Sequence, residues 1–303
     1  MGSNPAAPTI SSPEPRLLAL PFVPLWDETR GGTPILISHT ENHVFLVKGV
    51  VLRIHPRSRS REAIEDELDW LRSLTDAGIP VPRQVGAVHE IDGRHGVLFE
   101  FVKGREPRPA ERVFEVIGTY AAMLHRRAGQ GTHRPIWDEH LLDADGPWGD
   151  WRAFGDLSEV DGWLRTVLAA YGKTNDRFAL IHADMRLANV LQDGDRLALI
   201  DFDDCGHGWL MYDFAAAISF LETDPRVPAW RDAWLRGYTA IRPLRESEVS
   251  IIPAMILLRR MALCAWMAGH RETVLARTYA PGFAEGTLEL LRRARSGVLL
   301  PRV

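Results

Sequence analysis

The sequence has few cysteines and no excess of positive charge. Its 303 residues include two cysteines, Cys205 and Cys264, and two widely spaced cysteines fit neither a disulfide framework nor a zinc site. The formal net charge is -4, whereas a protein that binds nucleic acid is expected to carry a clear basic excess. These features argue against a disulfide-rich secreted domain and against a nucleic-acid partner, and they predict a protein of the reducing cytoplasm.

Targeting signals and long apolar runs are also missing. The N-terminus lacks the basic and then apolar pattern of a secretory signal. No uninterrupted apolar run reaches the roughly 18 residues of a membrane span, so no membrane association is expected. Residues 1–15 are rich in Pro, Ser and Ala and are predicted to form a disordered tail.

Between residues 34 and 102 the sequence is β-rich and contains one helical pattern. Two apolar runs flank Lys48-Gly49 and two more flank Asp92-Gly93, which is typical of hairpins with short turns. Residues 61–77, between the two hairpins, place apolar side chains at helical spacing. This order predicts a small antiparallel sheet carrying one helix.

Beyond Gly104 helical periodicity predominates. Residues 187–202 are an exception, because their pattern predicts a hairpin. The predicted helices span residues 109–128, 160–172, 208–223, 226–240, 246–269 and 282–296. We place a domain boundary near Val102–Gly104, so that residues 16–102 form one domain and residues 103–303 the other.

Three polar residues stand at the ends of apolar segments in the second domain. Asp184 and Asn189 are five positions apart on one predicted loop, and the predicted hairpin folds Asp201 back beside Asn189. Each residue alone is most often a turn or cap residue. Phosphoryl transfer from ATP, however, needs a carboxylate that orients the attacking hydroxyl and oxygen ligands for Mg²⁺. The combination therefore predicts a phosphoryl-transfer centre.

The motif around these residues resembles a known superfamily. His182-Ala-Asp-Met-Arg-Leu-Ala-Asn189, followed by Ile200-Asp-Phe-Asp203, is similar to the aminoglycoside phosphotransferase and choline kinase superfamily, which shares the kinase pattern H-x-D-x-x-x-x-N. The resemblance covers roughly residues 34–270. It implies a bilobal, protein-kinase-like α+β fold, with a small antiparallel β N-lobe carrying one helix and a larger, mainly α-helical C-lobe.

The resemblance also implies roles within the motif. Asp184 corresponds to the catalytic base or hydroxyl-orienting residue, and Asn189 and Asp201 correspond to the Mg²⁺ ligands. His182 is expected to hold the loop rather than to carry a proton. Arg186 is either a contact of the γ-phosphate or a surface arginine.

In the N-lobe, the family binds the phosphates of ATP with a loop and a strand cation. Residues 38–42, with Ser38, Thr40 and Asn42, resemble this loop, although they contain no glycine. Arg53 stands where the strand cation is expected, and it replaces the usual Lys with a planar fork of different geometry.

A helix carboxylate and a hinge complete the implied nucleotide site. Glu67 is the expected partner of the strand cation, and Glu62 and Glu65 are alternatives. Residues 100–104 resemble the hinge whose backbone binds adenine, which makes Glu100 and Val102 candidate contacts.

The charge of the C-lobe is uneven. Residues 138–161 contain eight acidic residues and a single arginine, Arg152, so they form either a wall that attracts an amine-bearing substrate or a solvated acidic loop. Residues 225–303 contain thirteen arginines and six acidic residues, which would disfavour a polycationic aminoglycoside if they faced it. Charge alone does not choose the acceptor.

Aromatic residues beside the acidic segment give a second indication. Trp137, Trp148 and Trp151 either hold an ammonium group by cation–π contact or cover loops as part of the core. Arg259 is either a pocket residue or a surface residue, and Asp203 and Asp204 either form a turn or contact metal or substrate.

The predicted reaction is transfer of the γ-phosphate of ATP to a hydroxyl of a small molecule. Candidate acceptors are an amino alcohol, a hydroxy amino acid such as homoserine, and an aminoglycoside-like antibiotic. A protein Ser/Thr kinase of the same fold is an alternative, but the interval from Asp201 to Asp213 is short for an activation segment. A nucleotide-binding pseudokinase scaffold is a further alternative, because Arg53 replaces the usual Lys of the strand. An Asp-based phosphohydrolase would leave Asp184 and Asn189 without a function.

Overall fold

The computed structural model describes residues 13–39, 42–127 and 134–299. These residues form two compact units, one that ends at Gly104 and one that starts at Arg105. Most of the predicted N-terminal tail lies outside the described residues. Its last three residues do not fit the prediction, because Pro13–Ala19 forms helix α1.

The N-terminal unit contains one antiparallel sheet of five strands in the order β1-β2-β3-β5-β4. The strands are β1 (Ile35–His39), β2 (His43–Val47), β3 (Val50–Ile54), β4 (Gln84–Ile91) and β5 (Arg94–Glu100). Both predicted turns are present, and Lys48, Gly49, Asp92 and Gly93 have the positive φ angles that match the twist of a tight hairpin. Strand β1 was not predicted.

The single large helix of this unit, α2 (Arg61–Asp76), begins at Ser60, whose side chain accepts a hydrogen bond from the amide of Ala63 at 3.2 Å. Its apolar residues at helical spacing are buried, namely Ile64, Leu68, Leu71 and Leu74. Glu67 is also fully buried in this helix. A buried carboxylate needs a charged or hydrogen-bonding partner.

The C-terminal unit is mainly helical. Its helices are α3 (Glu111–His125), α4 (Ser158–Tyr171), α5 (Tyr212–Ala217), α6 (Val227–Thr239), α7 (Glu246–Ser250), α8 (Ile252–Gly269), α9 (Val274–Tyr279) and α10 (Phe283–Arg295). Its strands are β6 (Ile136–Trp137), β7 (Phe178–Ile181), β8 (Val190–Asp193), β9 (Arg196–Leu199) and β10 (Gly206–Trp209). Strands β8 and β9 form the predicted hairpin, and the other three form a sheet in the order β6-β10-β7.

Helices α3 and α6 pack closely through two glycines. A Cβ atom at Gly118 would overlap the backbone of Trp234, and one at Gly237 would overlap the carbonyl of Glu115. Both positions therefore require glycine for reasons of space. This contact fixes α3, which carries His125 toward the centre of the unit.

The predicted helix at residues 208–223 was wrong at both ends. Residues 206–209 form β10, which pairs with β7 and β6, and the helix that follows, α5, ends at Ala217. The strand is possible because Gly206 and Gly208 allow a close approach to Pro135 and Ile181, which larger residues would prevent. The predicted helix 246–269 is interrupted at Ile251 and forms α7 and α8.

Helix α8 belongs to the core of the C-terminal unit. The segment Glu246–Gly269 is long and apolar enough to cross a membrane by length and composition, which the count of uninterrupted apolar runs did not show. However, 83% of its most apolar window is buried inside the structure. Arg259 and Arg260 interrupt this apolar helix, and both are buried. The two arginines therefore need partners.

Candidate active site

The loop after β7 carries Asp184 on a backbone that is held in an unusual conformation. Ala183 has a φ of 65°, a left-handed conformation that raises the energy of a residue with a Cβ atom by roughly 1–2 kcal/mol. The buried carboxylate of Asp213 accepts hydrogen bonds from the amides of His182 and Ala183, at 3.0 and 2.8 Å. These bonds offset the strain and fix the direction in which the Asp184 side chain leaves the loop.

The carboxylate of Asp184 is surrounded by three donors. Asn189 donates from Nδ2 to Oδ2 at 2.7 Å and to the Asp184 carbonyl at 2.9 Å. Arg186 donates from Nε to the same Oδ2 at 3.2 Å, and Arg259 donates from Nη2 to Oδ1. The structure thus brings together the predicted residues Asp184, Arg186 and Asn189.

These donors determine the charge of the centre. Burial alone would raise the pKa of the Asp184 carboxyl, but Arg259 and then Arg186 hold that pKa below its ordinary value. Burial lowers the pKa of His182, which packs against the ring of Phe202 with centroids 4.5 Å apart. At neutral pH, Asp184 is therefore a carboxylate and His182 a neutral ring, which agrees with a supporting role for His182.

The hairpin β8–β9 brings Asp201 to the same end as Asn189. The amide of Ile200 donates to the carbonyl of Asn189 at 3.0 Å, directly beyond the paired residues Val190 and Leu199. Asp201 is exposed and has a φ of 65°. Because Nδ2 of Asn189 binds Asp184, Oδ1 is the amide atom left for a metal. One amide oxygen and one carboxylate are a donor set that fits hydrated Mg²⁺.

Asp203 and Asp204 lie in a turn between the hairpin and β10. The amide of Cys205 donates to the carbonyl of Phe202 at 3.1 Å, and the carbonyl of Asp204 accepts from Nε1 of Trp137 at 2.5 Å. The backbone therefore supports the turn interpretation of these two residues.

Arg259 is the residue of this centre that the sequence analysis did not assign. It lies on α8, 75 positions beyond Asp184, and only 1% of it is exposed. Besides Asp184, its donors reach the hydroxyl of Ser219 at 3.0 Å and the carbonyl of Ala183 at 3.3 Å. The available signal was the presence of arginine in an otherwise apolar helix, since such a residue must be paired.

In the N-terminal unit, the structure forms the predicted pair of strand cation and helix carboxylate. Nη2 of Arg53 on β3 lies 2.7 Å from Oε1 of Glu67 on α2, and both side chains are buried. The alternative Glu65 instead pairs with Arg61 on the surface. Glu67 is therefore the partner among the acidic candidates of α2 for which the structure shows this contact.

The residues predicted to form a phosphate loop agree with the structure only in part. Ser38 is part of β1, where it pairs with Val44, so the loop is shorter than predicted because the chain continues as a strand. Asn42 is buried, whereas Thr40 lies outside the described residues. Glu100 ends β5 and is exposed, and Val102 follows it outside any strand.

Most carboxylates of the acidic segment 138–161 are engaged in ion pairs at the surface. Its ion pairs join Lys173 to Asp138 and Glu139, Arg165 to Asp143 and Asp161, Arg152 to Asp150, and Arg295 to Glu159. Exposed pairs of this kind contribute little stability. Their four cations offset half of the eight negative charges of the segment. The solvated-loop interpretation is therefore the better one.

The three tryptophans also make contacts within the protein. Nε1 of Trp151 donates to the carbonyl of Leu142 at 2.9 Å, and Trp137 is buried and bonded to Asp204. The ring of Trp148 lies 4.7 Å from the guanidinium of Arg259, so its cation–π partner is already part of the protein. In the described part of the chain, these residues do not form an ammonium cage.

Comparison with known proteins identifies the family. Residues 34–247 match the model of the phosphotransferase enzyme family, APH. The chain belongs to the phosphotransferase enzyme family. The resemblance, the protein-kinase-like α+β fold and the enzyme class predicted from the sequence are thereby confirmed, and a nucleoside triphosphate such as ATP is the donor that a kinase of this family implies.

Individual relatives refine the comparison. The structure of a microcompartment-associated aminopropanol kinase is 33% identical in sequence, with a TM-score of 0.83 over 94% of this chain and 99% of that one. A homoserine kinase of Agrobacterium fabrum (strain C58 / ATCC 33970) is 30% identical over 270 residues, 81% of this chain and 80% of the relative. Amicoumacin kinase hAmiN, solved with AMP-PNP, Ca²⁺ and Ami, shares the fold with a TM-score of 0.75 at 20% identity over 95% of each chain.

Proposed function

We propose that the protein transfers the γ-phosphate of ATP to the hydroxyl of a small amino alcohol. The observation that carries this proposal is the environment of Asp184. An ionised carboxylate offers about four lone-pair sites. Among the described residues, Arg259 uses one site on Oδ1, and Asn189 and Arg186 use two on Oδ2. One site on Oδ1 is left, which is where the acceptor hydroxyl binds.

Asp184 acts by orientation more than by proton abstraction. Its lowered pKa makes it a weak base, so it holds the hydroxyl oxygen in line with the phosphorus and accepts the proton late in the transfer. Phosphoryl transfer through a loose transition state requires little more of the protein than such positioning and charge stabilisation.

Mg²⁺ is the metal we propose for the donor side. Oδ1 of Asn189 and the carboxylate of Asp201 would bind it, and when bound the ion neutralises charge on the phosphates of ATP. The Arg186 side chain is 27% exposed, and the bond to Asp184 among the described residues uses Nε, so its terminal nitrogens are the proposed contact of the γ-phosphate. Asp184 and Arg186 are thus the proposed catalytic residues.

The nucleotide contacts in the N-lobe follow from the fixed position of Arg53. Glu67 and the ring of Phe99, 4.8 Å from the guanidinium, orient Arg53, and its buried guanidinium is proposed to supply the positive charge for the α- and β-phosphates. Ser38 in β1, Asn42 after it and, outside the described residues, Thr40 are proposed to contact the phosphates, and the backbone of Glu100 and Val102 to contact adenine.

The choice of an amino alcohol is supported by similarity to the aminopropanol kinase across nearly the whole chain. A hydroxy amino acid is the second candidate, favoured by the similarity to homoserine kinase. The acidic segment is half offset by its ion pairs, so charge does not decide between an amino alcohol and an aminoglycoside. Both cysteines are buried thiols outside any disulfide among the described residues, which fits the proposed location in a reducing cytoplasm.

A screen of ADP release tests this proposal. The panel contains aminopropanol, homoserine, an aminoglycoside, a generic protein acceptor and propanol, which is the control that lacks the amine. We expect ADP release with aminopropanol, at a kcat/KM at least tenfold above that with propanol. Release only with the protein acceptor would favour the Ser/Thr kinase alternative, and binding of ATP without release on any acceptor would favour the scaffold.

A further inference from the structure

Arg259 on α8 contacts the loop that carries Asp184, which is distant from it in sequence. All three of its nitrogens are engaged, with Asp184, the carbonyl of Ala183 and the hydroxyl of Ser219. Its guanidinium also lies against the ring of Trp148. These contacts hold the side chain where it reaches both the carboxylate of Asp184 and the peptide of the loop beside it.

The contacts of Arg259 and Asp213 are complementary. Asp213 accepts from the amide of Ala183, and Arg259 donates to the carbonyl of the same residue. The left-handed residue is thus held on both sides by buried charged groups of opposite sign, one on α5 and one on α8. Such a clamp makes the position of Asp184 depend on a helix that is distant in sequence.

We propose that Arg259 is the positioning residue for Asp184, because it holds the carboxylate in the rotamer that leaves one lone pair of Oδ1 for the acceptor hydroxyl. This inference rests on the proposed function of Asp184. It predicts that loss of Arg259 slows transfer to the acceptor, while ATP binding is retained.

The neighbouring Arg260 offers a matched control. It is equally buried on the same helix, but it binds Glu222 at 2.9 Å and Thr287 at 2.9 Å instead of Asp184. Replacing either arginine removes a buried charge from α8. Only replacement of Arg259 should release Asp184.

The test compares Arg259→Met, Arg259→Lys and Arg260→Met in the full-length protein. We expect kcat for the acceptor to fall about 100-fold in Arg259→Met, as is typical when a reacting group is misplaced by about 1 Å, with KM for ATP within threefold of wild type. Arg259→Lys should retain an intermediate kcat, since it keeps the charge but not the fork. Arg260→Met should keep kcat per folded molecule within threefold.

Chemical rescue distinguishes positioning from a general effect on folding. Guanidinium added at millimolar concentration to Arg259→Ala should restore part of kcat, and it should not affect Arg260→Ala. Equal losses of kcat in the Arg259 and Arg260 variants, or an unchanged kcat in Arg259→Met, would overturn the inference.

A second measurement separates this inference from the proposed function. In a double-mutant cycle of Arg259→Met and Asp184→Asn, the two losses in the free energy of unfolding should not add, as expected for residues in one ion-pair network. If the two residues are coupled but no acceptor is turned over, the contact between Arg259 and Asp184 is supported and the proposed function is rejected. Absence of coupling would reject the positioning role.

Discussion

The carboxylate of Asp213 holds the peptide of Ala183 in a left-handed conformation through a hydrogen bond of 2.8 Å. Its other oxygen accepts from the amide of His182 and lies 3.0 Å from Nε2 of His125. The catalytic loop is therefore fixed by a residue that contacts no substrate in the proposed mechanism. Helices α3 and α5 meet at this point, so the shape of the loop depends on how the C-terminal unit packs.

Asp213→Asn should lower the free energy of unfolding and slow phosphoryl transfer. The amide of asparagine would turn a donor toward the peptide donors of the loop, and breaking a buried pair of this kind costs about 3 kcal/mol. Urea unfolding followed by tryptophan fluorescence measures this loss. Asp195→Asn is the control, because Asp195 is 82% exposed in its pair with Arg112, and it should change stability by less than about 0.5 kcal/mol. Similar stabilities of the two variants would contradict the role of Asp213.

Glu67→Gln should weaken nucleotide binding. Without the carboxylate, Arg53 loses the charged partner that fixes its orientation, and we expect KM for ATP to rise about tenfold, corresponding to about 1.4 kcal/mol. Steady-state kinetics with varied ATP give this value. Glu65→Gln, which removes only a surface pair with Arg61, should leave KM unchanged. An equal effect of both substitutions would argue against Arg53 as the phosphate cation.

Gly237→Ala should destabilise the C-terminal unit by about 1–3 kcal/mol, because the added methyl group overlaps the carbonyl of Glu115 across the α3–α6 contact. Gly162 on α4 is the matched control. Nothing lies within 4 Å of a Cβ atom built there, so Gly162→Ala should stabilise the helix by about 0.5–1 kcal/mol. Thermal unfolding of both variants shows whether their stabilities change in opposite directions. A lower stability of Gly162→Ala would show that the space around the glycine does not decide the effect of the added methyl group.

His43 should titrate well below the usual range of histidine. Burial first, and then the charges of His39 and Arg94, lower its pKa to about 4. Since the unfolded chain binds this proton at about pH 6.5, the contribution of His43 to stability falls as the pH drops from about 6.5 to 4. NMR titration of the imidazole signals measures the pKa. His140, whose pKa is raised by its hydrogen bond with Asp143, should shift in the opposite direction.

Much of the fold and the centre of the candidate site could be predicted because their signals are local. Asp184 and Asn189 lie on one short loop, and the hairpin that returns Asp201 is visible in the alternation of residues 190–199. The same holds for the turn at Lys48-Gly49. In each case the residues that cooperate are close in sequence, or are joined by a turn of known geometry.

Contacts between distant segments explain what the sequence analysis missed. Arg259 reaches Asp184 from 75 positions away. The periodicity of the surrounding segment indicates only that it forms an apolar helix. The sequence did not decide whether the acidic segment is an amine-binding wall or a solvated loop, because its cationic partners, such as Lys173 and Arg295, lie outside it. Strand β10 formed where a helix was predicted, because pairing with β7 outweighs local preference.

The central claim is that Asp184 directs the phosphate of ATP to the hydroxyl of a small amino alcohol. Phosphorus NMR of a reaction with ATP, Mg²⁺ and aminopropanol tests this claim directly in the wild type and in Asp184→Ala. The account predicts a phosphate monoester signal that grows in step with ADP in the wild type, and no such signal in Asp184→Ala, although that variant still binds Mg·ATP. A phosphate monoester formed at the wild-type rate by Asp184→Ala, or only inorganic phosphate from the wild type, would contradict it.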